Sequence, residues 1–96
     1  MKKIAFTSKG QSLFDITNQI IIDDEDADYH KLSSEQKLIL DFGMYIEGGY
    51  GDNSFENIED FALIIGGEEY QDAAKGAKKI ITKINKGIKQ GLIEIN

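Results

Sequence analysis

The sequence contains no cysteine, arginine, proline, valine or tryptophan among its 96 residues. The lack of cysteine excludes a disulfide scaffold, a zinc finger and a thiol enzyme. No apolar run reaches the roughly 18 residues that a membrane span needs, and residues 1–9 lack the apolar core and cleavage site of a secretory signal. We therefore expect a cytoplasmic protein, and the sixteen isoleucines beside these absences are typical of an AT-rich bacterial or phage genome.

Charge is distributed unevenly along the chain. Seventeen acidic residues and eleven lysines give a net charge of −6, but residues 11–72 carry −14 and the two ends together carry +8. An acidic body repels nucleic acid, because phosphate binding requires cations, and it attracts a basic surface on another protein. The alternative is that the acidic residues serve only solubility.

Length and composition predict one small domain over residues 1–96, because 41% hydrophobic residues suffice for a single core. The patterns predict a mainly all-α fold, a compact bundle of about four helices with a short N-terminal strand. The strand is expected at Lys2–Thr7, where apolar and polar residues alternate, and Leu92–Ile95 has the same period and is a candidate partner for it.

The helices are predicted from three- and four-residue apolar spacing and from capping signals. Ser12 is expected to cap the first helix, Ser12–Ile22. Ser33 and Gln36 form a capping box that opens the second, which ends near Glu47 before Gly48-Gly49. Asn53 and Glu56 suggest a cap for the third, which Gly66-Gly67 would stop, and Glu68–Lys89 is expected to be the last helix.

Each of the last three predicted helices has one apolar face that is expected to be buried. These faces are Leu38, Ile39, Phe42, Tyr45 and Ile46 on the second helix, Phe55, Ile58, Ala62 and Ile65 on the third, and Tyr70, Ala73, Ala74, Ala77, Ile80, Ile81, Ile84 and Ile88 on the last.

One loop has the acid spacing of an EF-hand calcium site, with Asp24, Asp26, Asp28 and Glu35 at loop positions one, three, five and twelve. Position six, where the turn needs glycine, is Tyr29, and the normally apolar position eight is Lys31. A solvated acidic loop or an acidic partner-binding loop therefore explains the spacing better than a metal site.

No residue pattern predicts catalysis. His30 is the sole histidine and has no nucleophile or second acid at a useful spacing. Gly48-Gly49-Tyr50-Gly51 follows a helix and is flanked by acids, unlike a phosphate-binding loop. The lysines of the last helix are expected to form a solvated face or to neutralise acidic residues, either within the fold or across a dimer. We therefore expect a protein that is not an enzyme and has no cofactor.

The acidic residues are dense in two places. Carboxylates one helical turn apart are separated by about 5.4 Å along the axis, which is of the order of the ~3.4 Å rise per nucleotide of a DNA strand. A rigid array of this kind can imitate a DNA backbone. The residues predicted to bind a partner are a first acidic set, Asp23, Asp24, Glu25, Asp26 and Asp28, and a second acidic set around the glycine pair, Glu47, Asp52, Glu56, Glu59 and Asp60.

Several short motifs resemble a family of bacterial DNA-mimic proteins. They are Leu32-Ser33-Ser34-Glu35-Gln36, Glu47-Gly48-Gly49-Tyr50, Asn57, Ile65-Gly66-Gly67 and Ala73-Ala74, and together they span about Leu32–Lys79. The family has Asn where this chain has Glu47, and an aromatic-rich segment where it has Gly51-Asp52-Asn53-Ser54. The resemblance implies an all-helical fold and an acidic face that occupies the DNA site of a regulator.

The leading hypothesis is an acidic protein-binding module that mimics DNA and occupies the basic site of a DNA-binding protein or nuclease. Two alternatives stay open: an immunity protein or antitoxin against a basic toxin, and an EF-hand-like calcium-binding module. The expected partner is a basic protein, with no direct nucleic acid and no membrane, and a homodimer is left open.

Overall fold

The computed structural model describes residues 2–23, 29–47 and 54–96. These residues form, in chain order, β1 (Lys2–Phe6), α1 (Ser8–Asp23), a 3-10 helix (Tyr29–Lys31), α2 (Ser34–Glu47), β2 (Ser54–Phe55), α3 (Ile58–Glu69), α4 (Ala73–Lys89) and β3 (Ile93–Ile95). The predicted mainly α-helical fold with about four helices and a short N-terminal strand is confirmed.

A small antiparallel sheet joins the two ends of the chain. Its strand order is β2-β1-β3, with Ile4 opposite Ile95 and Lys2 opposite Phe55. The predicted pairing of the N-terminal strand with the last residues is therefore confirmed. The central strand supplies Ile4, which is fully buried, to the core beneath the sheet.

The hydrophobic core lies between the sheet and helices α2, α3 and α4. Helix α1 contributes to it the partly buried Leu13 and Phe14 beside the buried Gly10 and Thr17, so α1 is the most peripheral of the four described helices. The predicted buried face of α2 is confirmed. On α4, Ala77, Ile80 and Ile84 are buried as predicted, but Ala73 and Ala74 are exposed and Ile88 is 43% exposed. The buried apolar residues are Ile4, Leu38, Ile39, Phe42, Tyr45, Phe55, Phe61, Ala62, Ile65, Ala77, Ile80, Ile84, Leu92 and Ile93.

The first helix begins one turn earlier than predicted. It starts at Ser8, and the Thr7 hydroxyl, not Ser12, accepts a hydrogen bond from the Gly10 amide at 3.0 Å. The first turn carries no apolar periodicity, so the pattern did not include it. Gly10 lies against the Leu92 backbone, a contact between distant parts of the chain that local patterns do not reveal.

The capping box of the second helix is confirmed in both directions. The Ser33 hydroxyl accepts from the Gln36 amide at 3.1 Å, and the Gln36 side chain accepts from the Ser33 amide at 2.9 Å. These bonds satisfy two of the amides that a helix start leaves unpaired. The helix ends at Glu47, as predicted.

The segment before the third helix was predicted wrongly. Phe55 lies in strand β2, not in a helix, and α3 begins at Ile58 with Asn57 as its cap. The Asn57 side chain accepts from the Glu59 amide at 2.9 Å. The short strand forms because Ser54 and Phe55 pair with β1, a partner about fifty positions away that local patterns do not reveal.

Gly66-Gly67 does not stop the third helix, which continues to Glu69. The last helix therefore begins at Ala73 and not at Glu68. Asp72 caps it by accepting hydrogen bonds from the Ala74 and Lys75 amides. The reason is packing: a Cβ at Gly66 would lie 2.6 Å from the Ala77 nitrogen, so this glycine allows α3 and α4 to approach closely.

Candidate functional site

Helices α1 and α2 run in the same direction. Lys9, near the start of α1, lies 3.8 Å from the Glu35 carboxylate near the start of α2. Further along, Phe14 lies against Gly43, and Asn18 and Glu47 line one depression between the helices. The C-terminal ends of α1 and α2 consequently lie at the same end of the pair.

Each of these two helices ends in a carboxylate. Asp23 is the last residue of α1 and Glu47 is the last residue of α2, and neither helix has a basic residue in its last turn. We call this pair the acidic end. A helix C-terminus already carries a partial negative charge, so a carboxylate there is unfavourable for the helix and strengthens the local negative potential.

The lysines of the protein do not neutralise the acidic end. Among the described residues, the two ion pairs between lysine and carboxylate are Lys9–Glu35 and Lys83–Asp41. Neither involves Asp23 or Glu47, and Asp23 accepts a neutral hydrogen bond from Gln19 at 2.8 Å. The acidic end therefore keeps its charge available to an outside group.

Three of the predicted partner-binding residues lie elsewhere. Glu56 and Glu59 line a separate depression with Lys2, and Glu59 and Asp60 occupy the first turn of α3. Carboxylates in a first turn stabilise the helix through its dipole, so Glu59 and Asp60 have a structural explanation that Asp23 and Glu47 lack. The structure therefore divides the second predicted acidic set between two places.

Several predictions lie outside the described residues. Asp24, Glu25, Asp26, Asp28 and Asp52 fall there, which includes the three aspartates of the EF-hand pattern, and so do Gly48, Gly49, Tyr50 and Gly51. Glu35, the last residue of that pattern, lies in the first turn of α2. Within 2–23, 29–47 and 54–96, no group of three or more histidine or acidic side chains could hold a metal ion.

His30 is exposed in the 3-10 helix Tyr29–Lys31. Its ring lies edge-on to the Tyr29 ring, with 6.0 Å between the ring centres. The Lys37 ammonium lies over the same Tyr29 ring, 5.7 Å from its centre. His30 therefore lies on the surface, in contact with the Tyr29 ring.

A polar cluster between α2, α3 and α4 was not predicted from the sequence. The Lys83 ammonium lies 3.0 Å from the Asp41 carboxylate, and the buried Tyr45 hydroxyl donates to Glu69 over 3.4 Å. Burial and the neighbouring Glu69 carboxylate raise the pKa of Tyr45. Burial lowers the pKa of Lys83, but the hydrogen bond to Asp41 and its charge outweigh this effect and raise it. The four-residue spacing of Asp41 and Tyr45 on α2 is the signal that could have indicated this cluster.

Helix α1 also exposes apolar side chains. Ile16 is 60% exposed and Ile20 is 41% exposed, and they line a shallow depression with Asp15, Gln19 and Asp23. The sequence spacing of Ile16 and Ile20 predicted a helix but not which face would be buried. The other face of α1 carries Gly10 and Thr17 toward the core, so this stripe points outward.

Comparison with known protein families, with characterised proteins and with solved structures finds no match to this chain. None of the helices in the described parts of the chain is long and apolar enough to cross a membrane.

Proposed function

We propose that this protein is a non-catalytic binding module whose acidic end binds a basic, DNA-contacting surface of another protein. The observation that carries the proposal is that α1 and α2 run in the same direction and end in Asp23 and Glu47, and that neither helix has a basic residue in its last turn. Charge and helix dipoles add at this end, and a basic surface with exposed lysine or arginine side chains is the complementary partner.

The sequence next to the acidic end adds to this charge. Asp24, Glu25, Asp26 and Asp28 follow Asp23 closely in the chain, and Asp52 lies five positions after Glu47. The partial motif resemblance to DNA-mimic proteins independently suggests a partner whose own ligand is DNA. The account expects fast, salt-sensitive association, because contacts between exposed charges steer encounter and are screened by salt.

The direct experiment is capture from a bacterial lysate on the immobilised full chain. We expect basic DNA-binding proteins to be retained at about 50 mM salt and released at about 500 mM, since the Debye length falls from roughly 14 to 4 Å. Duplex DNA added at low salt should release the same proteins by competition. Retention that resists both salt and DNA would contradict the proposal.

Matched variants locate the binding surface. Asp23→Asn with Glu47→Gln removes two charges from the acidic end and should abolish capture. Glu68→Gln with Glu94→Gln removes the same charge at positions outside the predicted surface and should leave capture unchanged. Equal loss in both double variants would show that net charge alone matters, and would rule out a defined surface.

A further inference from the structure

The exposed face of α1 has a charge pattern that is complementary to itself. Lys9, Leu13, Ile16, Ile20 and Asp23 follow one another at alternating steps of four and three residues, so they form one stripe along the helix. We call these five residues the α1 stripe. Ile16 and Ile20 in its middle are exposed and Leu13 is partly buried, whereas one end of the stripe is cationic and the other anionic.

Lys9 and Asp23 are placed symmetrically about Ile16. Each lies seven positions from it, which corresponds to about 10.5 Å along the helix axis. If a second α1 crosses the first in the antiparallel direction at Ile16, Lys9 of each helix faces Asp23 of the other. The two isoleucines at the centre then cover each other.

The Lys9 ammonium and the Asp23 carboxylate can each form a further hydrogen bond with a second copy of the chain. The Lys9 ammonium donates to the Gln90 carbonyl at 2.9 Å and lies 3.8 Å from Glu35, and an ammonium has three donors. Asp23 accepts one hydrogen bond from Gln19, and a carboxylate has room for several. A parallel arrangement would instead place like charges together, which is destabilising.

We propose that a second copy of this chain binds the α1 stripe, forming a two-fold symmetric dimer through antiparallel α1 helices that cross at Ile16. A two-fold axis makes the same patch serve both subunits, and it yields two Lys9–Asp23 pairs from one stripe. This goes beyond the proposed function, because capture of a basic protein requires only a single chain. Since Asp23 belongs to both surfaces, the dimer and the basic partner compete for it.

The first test is sedimentation equilibrium of the purified chain over a wide concentration range at low salt. We expect a reversible monomer–dimer equilibrium that Ile16→Ser weakens by at least about tenfold, because the central apolar contact is lost. Ile22→Ser is the matched control, since Ile22 is 64% exposed but lies off the stripe, and it should leave the equilibrium unchanged. A chain that stays monomeric at all concentrations, or equal effects of the two variants, would overturn the proposal.

Charge exchange tests the antiparallel register. Lys9→Glu and Asp23→Lys should each weaken the dimer by several-fold, and the double variant should restore it to within about twofold of the wild type. Circular dichroism of each variant confirms that the fold is intact. A double variant weaker than either single one would contradict the pairing.

Cross-linking tests the crossing point in the otherwise cysteine-free chain. Ile16→Cys should form a disulfide-linked dimer under mild oxidation, because the two copies of this position meet on the symmetry axis. Asn85→Cys, exposed on α4, is the control and should remain monomeric. Equal cross-linking of both variants would indicate random collision and would overturn the proposed geometry.

Discussion

The buried hydroxyl of Thr17 destabilises the folded protein. It is fully buried in α1, and its hydroxyl has no hydrogen-bond partner among the described residues. A buried hydroxyl without a partner loses its hydration without compensation. A substitution of Thr17 that removes the hydroxyl but keeps the shape of the side chain should therefore stabilise the fold.

Thr17→Val should increase the free energy of unfolding by about 1 kcal/mol, because it replaces the hydroxyl with a methyl group of similar size. Chemical denaturation measures this change, and we expect the melting temperature to rise by about 4–8 °C. Thr82→Val is the control, since Thr82 is exposed and donates to the Lys78 carbonyl, and its effect should stay within about 0.5 kcal/mol. A loss of stability in Thr17→Val would show that the hydroxyl is satisfied.

Tyr45 gives a second prediction, on pH dependence. Its pKa is raised in the folded protein by burial and by Glu69, so its contribution to stability is complete below the unfolded pKa of about 10 and is lost as the pH rises above it. The wild type should therefore lose up to about 1.4 kcal/mol per pH unit more than Tyr45→Phe above pH 10. Denaturation curves between pH 8 and about 11.5 compare the two chains, and parallel pH profiles would contradict this account.

At the scale of elements, the contact between α3 and α4 depends on two glycines. A Cβ at Gly66 would lie 2.6 Å from the Ala77 nitrogen, and a Cβ at Gly76 would lie 2.8 Å from the Gly66 Cα. Both close contacts are with backbone, which cannot move aside without separating the helices. Gly67, the next residue along α3, has only the Ala73 methyl group near it, at 3.9 Å.

Gly66→Ala should therefore destabilise the protein by about 2 kcal/mol or more, because overpacking forces the two helices apart. Gly67→Ala should be neutral or stabilising by up to about 1 kcal/mol, since alanine favours a helix and space is available. Thermal unfolding of the two variants measures the difference. Equal behaviour of these adjacent substitutions would show that the close helix contact is absent.

The acidic end gives a prediction in which stability and function oppose each other. Glu47 ends α2, where a cation interacts better with the helix dipole than an anion does. Glu47→Lys should therefore raise the free energy of unfolding by about 0.3–1 kcal/mol while it weakens capture of a basic partner. Denaturation and capture are measured on the same variant, and a loss of stability would contradict the dipole argument.

The elements that could be predicted from the sequence are those with local signals. The capping box of Ser33 and Gln36, the end of α2 at Glu47 and the strand at Lys2 each depend on neighbouring residues. Strand β2 could not be predicted, because its pairing partner is distant in the chain. The continuation of α3 through Gly66 could not be predicted either, because it depends on space left by another helix.

The candidate site, too, could be predicted from the sequence only in part. Asp23 and Glu47 were both among the predicted partner-binding residues, but the sequence placed them in separate acidic sets. Their position at the same end of the two helices follows from the parallel arrangement of α1 and α2, in which Phe14 lies against Gly43. Conversely, Glu59 and Asp60 appear in the sequence as part of the same acidic set, and only their position at the start of α3 gives them a structural role.

At the scale of the whole molecule, the acidic and basic parts stay largely separate. Lys83 is paired with Asp41 and ties α4 to α2, but in the described parts of the chain no other α4 lysine forms an ion pair with a carboxylate. Apart from Asp41, the described acidic residues of the stretch that carries −14 are thus not paired with the lysines of α4. This separation creates the field on which the proposed recognition of a basic surface depends.

The most direct measurement is the affinity for a captured basic DNA-binding protein as a function of salt, for the wild type, Asp23→Asn/Glu47→Gln and Glu68→Gln/Glu94→Gln. We expect the acidic-end variant to bind at least about tenfold more weakly at low salt and to show a weaker salt dependence. The control variant should match the wild type at every salt concentration. Identical binding curves for all three chains would contradict the claim that the acidic end is the recognition surface.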